Sequence, residues 1–429
     1  MALVLLTATT AVGAGEVPFT TVLTNATVID ATGRDPIENA TVVIEGNRIT
    51  AVTQEAFSGG GDAGTRVIDV NGGYILPGLW NNHSHLGDLL PDPRGMLDDE
   101  PLMRATIRAG RNAMDALKAG FTSLRMTGER EYMDVAWKEA FDAGVFVGPR
   151  IVPAGAPISD AGDDDWLAVT ADGPEEMRAL VRAHVENGVE IIKLKATRLS
   201  REEIAAAIEQ AHELGVPVTA HSGGAVTHLA VELGIDGIEH GNDVTDETIA
   251  LMAEKGVFLD PTIVCNLSKS YIHEREQLIR EAGYEAPEEV VEGRVMVSLA
   301  DERSEEGAQL AREVLVKAYE AGVRIIPGSD SNPIDELGIL EIEQLAFSGL
   351  PEMAAIMAAT RNSAEMVGML EDVGTVEVGK LADLIVLEKN PLEHISNLRS
   401  LTMVFKDGKL VDRSVDEGQT SFWKLYFVD

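Results

Sequence analysis

The sequence predicts an α/β protein: a (β/α)₈ TIM barrel joined to a small β-sandwich domain built from both chain ends. Three observations point there. Short apolar strands alternate with helical segments from Leu79 to about Leu370. No glycine-rich phosphate-binding fingerprint follows an early strand, which speaks against an open doubly wound sheet. The texture is β-rich both before Asp69 and after Gly374, so the two chain ends are expected to meet in one small domain. The layout that follows is 16–78 with 374–413 for the β domain and 79–373 for the barrel, with a candidate signal remnant at 1–15 and a C-terminal extension at 414–429.

The first 14 residues, MALVLLTATTAVGA, are apolar, too short to span a bilayer, and end in small residues. They resemble the apolar part of a secretory signal without its basic start, and a first strand is the competing reading. Export to the periplasm or medium follows from the first reading and a cytoplasmic location from the second.

From Thr20 to Asp69, runs such as TTVLTNATVID and ATVVIEGNRITAV are punctuated by Gly33, Asp35, Gly46 and Asn47, as in an antiparallel sheet. Val189–Lys195 (VEIIKLK) reads as a buried strand. Ser200 with Glu203 three residues on is a capping box that opens a helix ending at Gly215. Strand Val216–His221, helix Ala225–Leu233, strand Ile235–His240, helix Asp246–Lys255 and strand Val257–Thr262 follow, each helix stopped by a glycine. A helix around Ala311–Ala321 and a strand Val323–Gly328 complete the series.

The 429 residues include 71 acidic and 35 basic side chains, a formal net charge of −36. Such a surface repels phosphate backbones and anionic lipid, so the expected partner is a small-molecule substrate, with neither nucleic acid nor membrane. A homo-oligomer is also expected. Cys265 is the single cysteine, which excludes an internal disulfide framework and leaves nitrogen and oxygen to ligate any metal.

Nine histidines sort into two sets. His184, His212, His228, His273 and His394 fall in helical or C-terminal β segments and read as solvated or locally bonded side chains. His83, His85, His221 and His240 stand at predicted strand ends, where barrel enzymes carry their chemistry. Period-2 geometry lets His83 and His85 point together into the mouth, and neutral imidazoles there suit Zn²⁺ or a similar divalent ion. Asp330 ends the last strand, where a carboxylate can bind metal and accept a proton. Lys193 lies inside an apolar strand, costly unless paired or modified; as a carbamate it could bridge two metals. Lys195 shares its face, so spacing does not choose between them.

With these residues in view, the chain resembles the amidohydrolase superfamily, in the branch of binuclear prolidase-like and imidazolonepropionase-like enzymes. The resemblance runs from about Thr20 to Asp412 through YILPGLWNNHSHL, VEIIKLKAT, VTAHS, GIEHGNDVTDET, IIPGSDS and the tail TRNSAEMVGMLEDVGTVEVGKLADLIVLEKNPL. It implies one metal on His83, His85 and Asp330, a second on His221 and His240, and a carboxylated Lys193 bridging them. A metal-bridging hydroxide would attack a carbonyl, with Asp330 passing the proton to the leaving group.

The sequence departs from the family at three places. Asn81 stands where many relatives have Asp, Ala196-Thr197-Arg198 replaces a longer glycine-containing loop, and SDAGDDDW forms an unusually acidic one. Arg125 and Arg198 are candidate anchors for a substrate carboxylate, with salt bridges as the competing role. Asp163–Asp165 beside Trp166 could attract a cationic group or form a solvated loop. Cys265 reads as a small buried side chain. The function expected is hydrolysis of an amide bond in a dipeptide-like, N-acyl amino acid or cyclic amide substrate. A lactonase or phosphotriesterase-like hydrolase on the same site is the alternative, and a non-catalytic structural relative the third reading.

Overall fold

The computed structural model describes residues 19–57, 64–87, 101–165, 167–266, 268–284, 304–330 and 332–414. The candidate signal remnant, Trp166 and all of the C-terminal extension except Ser414 lie outside these residues. Among the described residues no helix is long and apolar enough to cross a membrane.

Alternating apolar residues fold the N-terminal region into β1 (Thr20–Val28), β2 (Ile37–Glu45), β3 (Arg48–Thr53), β4 (Thr65–Asp69) and β5 (Tyr74–Pro77). The C-terminal region adds strands later in the chain, β16 (Leu384–Leu387), β17 (Leu401–Lys406) and β18 (Lys409–Leu410). Antiparallel pairing of β5 with β16, Pro77 opposite Leu384, joins strands from the two chain ends. Hydrogen bonds link all eight into one sheet, ordered β18-β17-β16-β5-β1-β2-β3 with β4 on β1. The path folds back on itself, because Ile49 N–H donates to the Lys380 carbonyl (2.8 Å) and Ala382 N–H to that of Asn47 (2.8 Å). Leu23, Val28, Val42, Ile44, Ile75, Leu384, Val386 and Phe405 form its apolar core.

Between these ends run β6 (Leu79–Ser84), β7 (Phe121–Met126), β8 (Arg150–Val152), β9 (Ile158–Asp160), β10 (Val169–Ala171), β11 (Ile192–Lys195), β12 (Val218–Ser222), β13 (Gly237–His240), β14 (Phe258–Asp260) and β15 (Arg324–Ile325). They form two parallel sheets, β6-β7-β8 and β10-β9-β11-β12-β13-β14-β15. Backbone bonds bridge the sheets on both sides. Glu190 N–H donates to Pro153 (2.9 Å) on one side, and Asn82 N–H to Pro327 (2.9 Å) on the other.

The helices follow their sequence signals. In the Arg201–Glu213 helix, Ser200 Oγ accepts from Glu203 N–H while the Glu203 carboxylate accepts from Ser200 N–H, a complete capping box. Gly234 and Gly256 end their helices at φ of 91° and 71°, left-handed positions where a Cβ would be strained. Strand ends shift by two or three residues, as in Ile192–Lys195 and Phe258–Asp260, and two elements differ more. Only Arg324–Ile325 keeps regular pairing in the last strand, because Pro327 has no N–H to continue the ladder. The helix expected from Ala311 begins at Glu305, where Ser304 accepts from Gly307 N–H and two glutamates favour the first turn.

Candidate metal centre

The carboxyl ends of the parallel strands bring together the residues singled out from the sequence. Asp330 Oδ1 lies 3.1 Å from His83 Nε2 and 3.2 Å from His85 Nε2. His240 Nδ1 is 4.0 Å from Asp330 Oδ2. The His83 and His240 rings are 5.1 Å apart, and the His221 ring stands edge-on to His240 at 4.5 Å. Ligand atoms of His83, His240 and Asp330 all fall within 4.8 Å of one another, a spacing within reach of metal coordination.

Backbone strain helps aim these groups. His240, Thr262 and Asp330 have φ of 68°, 42° and 49°, left-handed values that non-glycine residues seldom adopt. Neighbours on a strand face opposite ways, yet both Glu239 and His240 reach the interior because the chain turns at His240. Such strain concentrates at functional sites.

Electrostatics keep the donors in binding form. Burial pushes the His240 pKa well below the usual imidazole range. His221 opens to the mouth, yet the protein around its ring and then the charge of Lys193 depress it to about 4. Burial would raise Asp330, but His83, His85 and His240 hold it well below the usual carboxylate range. Lys193 is buried, and that burial lowers its pKa toward the neutral amine, against the pull of Glu239 and Asp330.

Lys195 is placed differently. Its ammonium bonds to Asp163 (2.9 Å) and Asp165 (2.9 Å), so the acidic loop folds over it. Arg198 Nε donates to Asp160 at 3.0 Å from a half-exposed side chain. Asp160, Asp163 and Asp165 are therefore ion-paired to two cations, while Asp164 between them stays exposed. Those contacts hold Asp163 at about 2, Ser159 and Lys195 together outweighing its burial.

Arg125 requires a correction. It is wholly buried, its two terminal nitrogens bonded to Glu239 (2.7 and 2.9 Å), one also to Asp260 (3.1 Å), and it cannot reach a substrate. Its role is the inter-strand salt bridge. Cys265 is partly buried, with Sγ 3.2 Å from the Ser329 carbonyl oxygen. Asn81 ties the centre together: Oδ1 accepts from Ser329 N–H (3.1 Å) and His83 N–H (3.2 Å), while Nδ2 donates to Ser329 Oγ (2.8 Å). Of the remaining histidines, His184 bonds the Ala156 carbonyl, His212 pairs with Asp236, and His228 meets Thr248.

Glu239, Asp260 and Thr262 escape the sequence reading. A signal existed for the first two, since each is an acid inside an otherwise apolar strand; Thr262 carries none.

Comparison with known proteins gives the family. The amidohydrolase family model matches residues 74–411. The chain belongs to the amidohydrolase family. It is 28% identical to an ochratoxinase of Aspergillus niger over 437 residues, covering 88% of this chain and 83% of that one. Among solved structures it is similar to a Xaa-Pro dipeptidase with methionine in its active site, with TM-score 0.77, 26% identity and coverage of 91% and 99%. It is equally similar to a prolidase complexed with N-methylphosphonate-L-proline, with TM-score 0.76, 29% identity and coverage of 92% and 100%. This amidohydrolase is a hydrolytic enzyme acting on C–N bonds.

Proposed function

We propose that this amidohydrolase cleaves the amide bond of small dipeptide-like or N-acyl amino acid substrates at a pair of divalent cations. The observation that carries the reading is the convergence of Asp330 with His83, His85 and His240 at one strand-end rim. The donor set fits a metal, because it joins imidazoles, two of them held toward the neutral form, to an ionised carboxylate. His83, His85 and Asp330 would hold one cation and His221 with His240 the other; Zn²⁺ suits these nitrogen and oxygen donors. Lys193, buried and inclined toward the free amine, is suited to add carbon dioxide and bridge the two as a carbamate. A cation held by these residues would lower the pKa of a bound water and polarise a carbonyl.

The chain's own residues do the rest. Asp330 stays ionised, so it can accept the proton of the attacking water and return it to the leaving nitrogen. Arg198, half-exposed just beyond β11, is the remaining candidate to hold a substrate carboxylate. The names of the prolidase and the Xaa-Pro dipeptidase support dipeptide-like substrates. The two parallel sheets, bridged on both sides, are read as one (β/α)₈ barrel over 79–373, and the folded-back sheet as a β-sandwich from 16–78 and 374–413.

A parallel screen of dipeptides, N-acyl amino acids, lactones and phosphotriesters tests the substrate class. Turnover is expected on the dipeptides and N-acyl amino acids. Lactone or phosphotriester turnover far above every amide would replace this reading with the ester-cleaving one.

A further inference from the structure

His83 and His85 each turn Nε2 to Asp330 and have the outer nitrogen, Nδ1, engaged. His85 Nδ1 meets the Gly128 carbonyl oxygen at 2.9 Å, and His83 Nδ1 the Glu239 carboxylate at 3.0 Å. Of the two, His83 Nδ1 meets a full charge. We propose that Glu239 is a positioning residue for the metal centre, accepting the Nδ1 proton of His83 and thereby directing Nε2 at the cation shared with His85 and Asp330. The inference rests on the metal reading above and deepens it by making the two cation sites unequal.

Three features support it. The His83 ring is clamped from both sides, with Glu239 Oε2 at 3.0 Å from one nitrogen and Asp330 Oδ1 at 3.1 Å from the other. Both His83 and Glu239 are buried, so no solvent competes for the contact. Arg125 grips both Glu239 oxygens, at 2.7 and 2.9 Å, and is itself anchored on Asp260 (3.1 Å) and Thr219 Oγ1 (3.3 Å). A fork of this kind fixes the carboxylate in plane and keeps it charged. β7, β13 and β14 thus supply one buried network whose free end is aimed at His83. A carboxylate on the outer nitrogen fixes the tautomer and raises the basicity of the ligating one. The cation on His221 and His240 receives no such support from Glu239.

The test is a chelator-competition titration of metal-free protein with Zn²⁺, run on wild type, Glu239→Gln and Asp260→Asn, with ¹⁵N shifts of the His83 ring recorded in parallel. Glu239→Gln is expected to weaken one site roughly 10- to 100-fold, leave the other unchanged, and release the His83 tautomer. Should that variant fail to fold, Glu239→Asp keeps the charge opposite Arg125, shortens the reach to His83, and is expected to weaken the same site. Unchanged affinities in a folded Glu239 variant would overturn the proposal while leaving the metal reading intact. So would an equal loss in Asp260→Asn, which keeps the Glu239–His83 contact. A wild-type chain that takes up no Zn²⁺ overturns both readings.

Discussion

The backbone N–H of Asp330 donates to the carbonyl oxygen of His83 at 2.9 Å. That bond ties the end of the first parallel strand to the chain just past the last. It fixes the carboxylate and the imidazole to one backbone frame, beside the side-chain contact between them. Gly328, two residues earlier, makes the approach possible. A Cβ there would lie 2.2 Å from Asp260 Oδ2 and 2.3 Å from His83 Cβ. Gly328→Ala is therefore expected to lower stability by about 1–3 kcal/mol and to weaken metal binding. Gly64→Ala, with open space around it, should do neither. Denaturant unfolding and metal titration of the two variants check this.

Lys193 and Lys195 share a strand face but separate in the fold. Lys193→Ala should lower bound metal and hydrolysis together, with partial rescue by acetate. Lys195→Ala breaks only the pairs to Asp163 and Asp165 and should retain its metal. Metal analysis by plasma mass spectrometry separates the two, and loss from Lys195→Ala alone would reverse the assignment.

Arg125 gives a stability prediction. Arg125→Leu leaves Glu239 and Asp260 buried without their countercharge and should cost about 3–5 kcal/mol in urea unfolding. A substrate anchor would behave in the opposite way, raising KM at unchanged stability.

Glu341 supplies a pH dependence. It accepts from the backbone N–H groups of Ile263 (2.9 Å) and Val264 (2.7 Å), yet burial pushes its carboxyl up to about 8. A folded pKa above the ordinary 4.5 means the native state holds a proton that the unfolded chain releases. Its stabilising contribution is whole below pH 4.5 and fades as pH rises to about 8. Urea unfolding of the metal-free protein checks this: between pH 4.5 and 8 wild type should lose stability relative to Glu341→Gln, which lacks the titrating carboxyl.

The strand-end histidines, Asp330 and the helix stops at Gly234 and Gly256 were legible because local signals set them: apolar periodicity, a polar residue at a strand end, a glycine in the left-handed region. The partners of Arg125 were not, since Glu239 and Asp260 lie more than a hundred residues away and only the fold brings them under it. Spacing could not separate Lys193 from Lys195 either. That distinction depends on the acidic loop folding over Lys195, a long-range ion pair with no periodicity to announce it.

The most direct measurement is the metal content of the purified wild-type chain alongside hydrolysis before and after chelation. The account predicts about two divalent cations per chain, activity abolished by chelator and returned by Zn²⁺. A folded, metal-free chain that hydrolyses its substrate undiminished by chelator would contradict it.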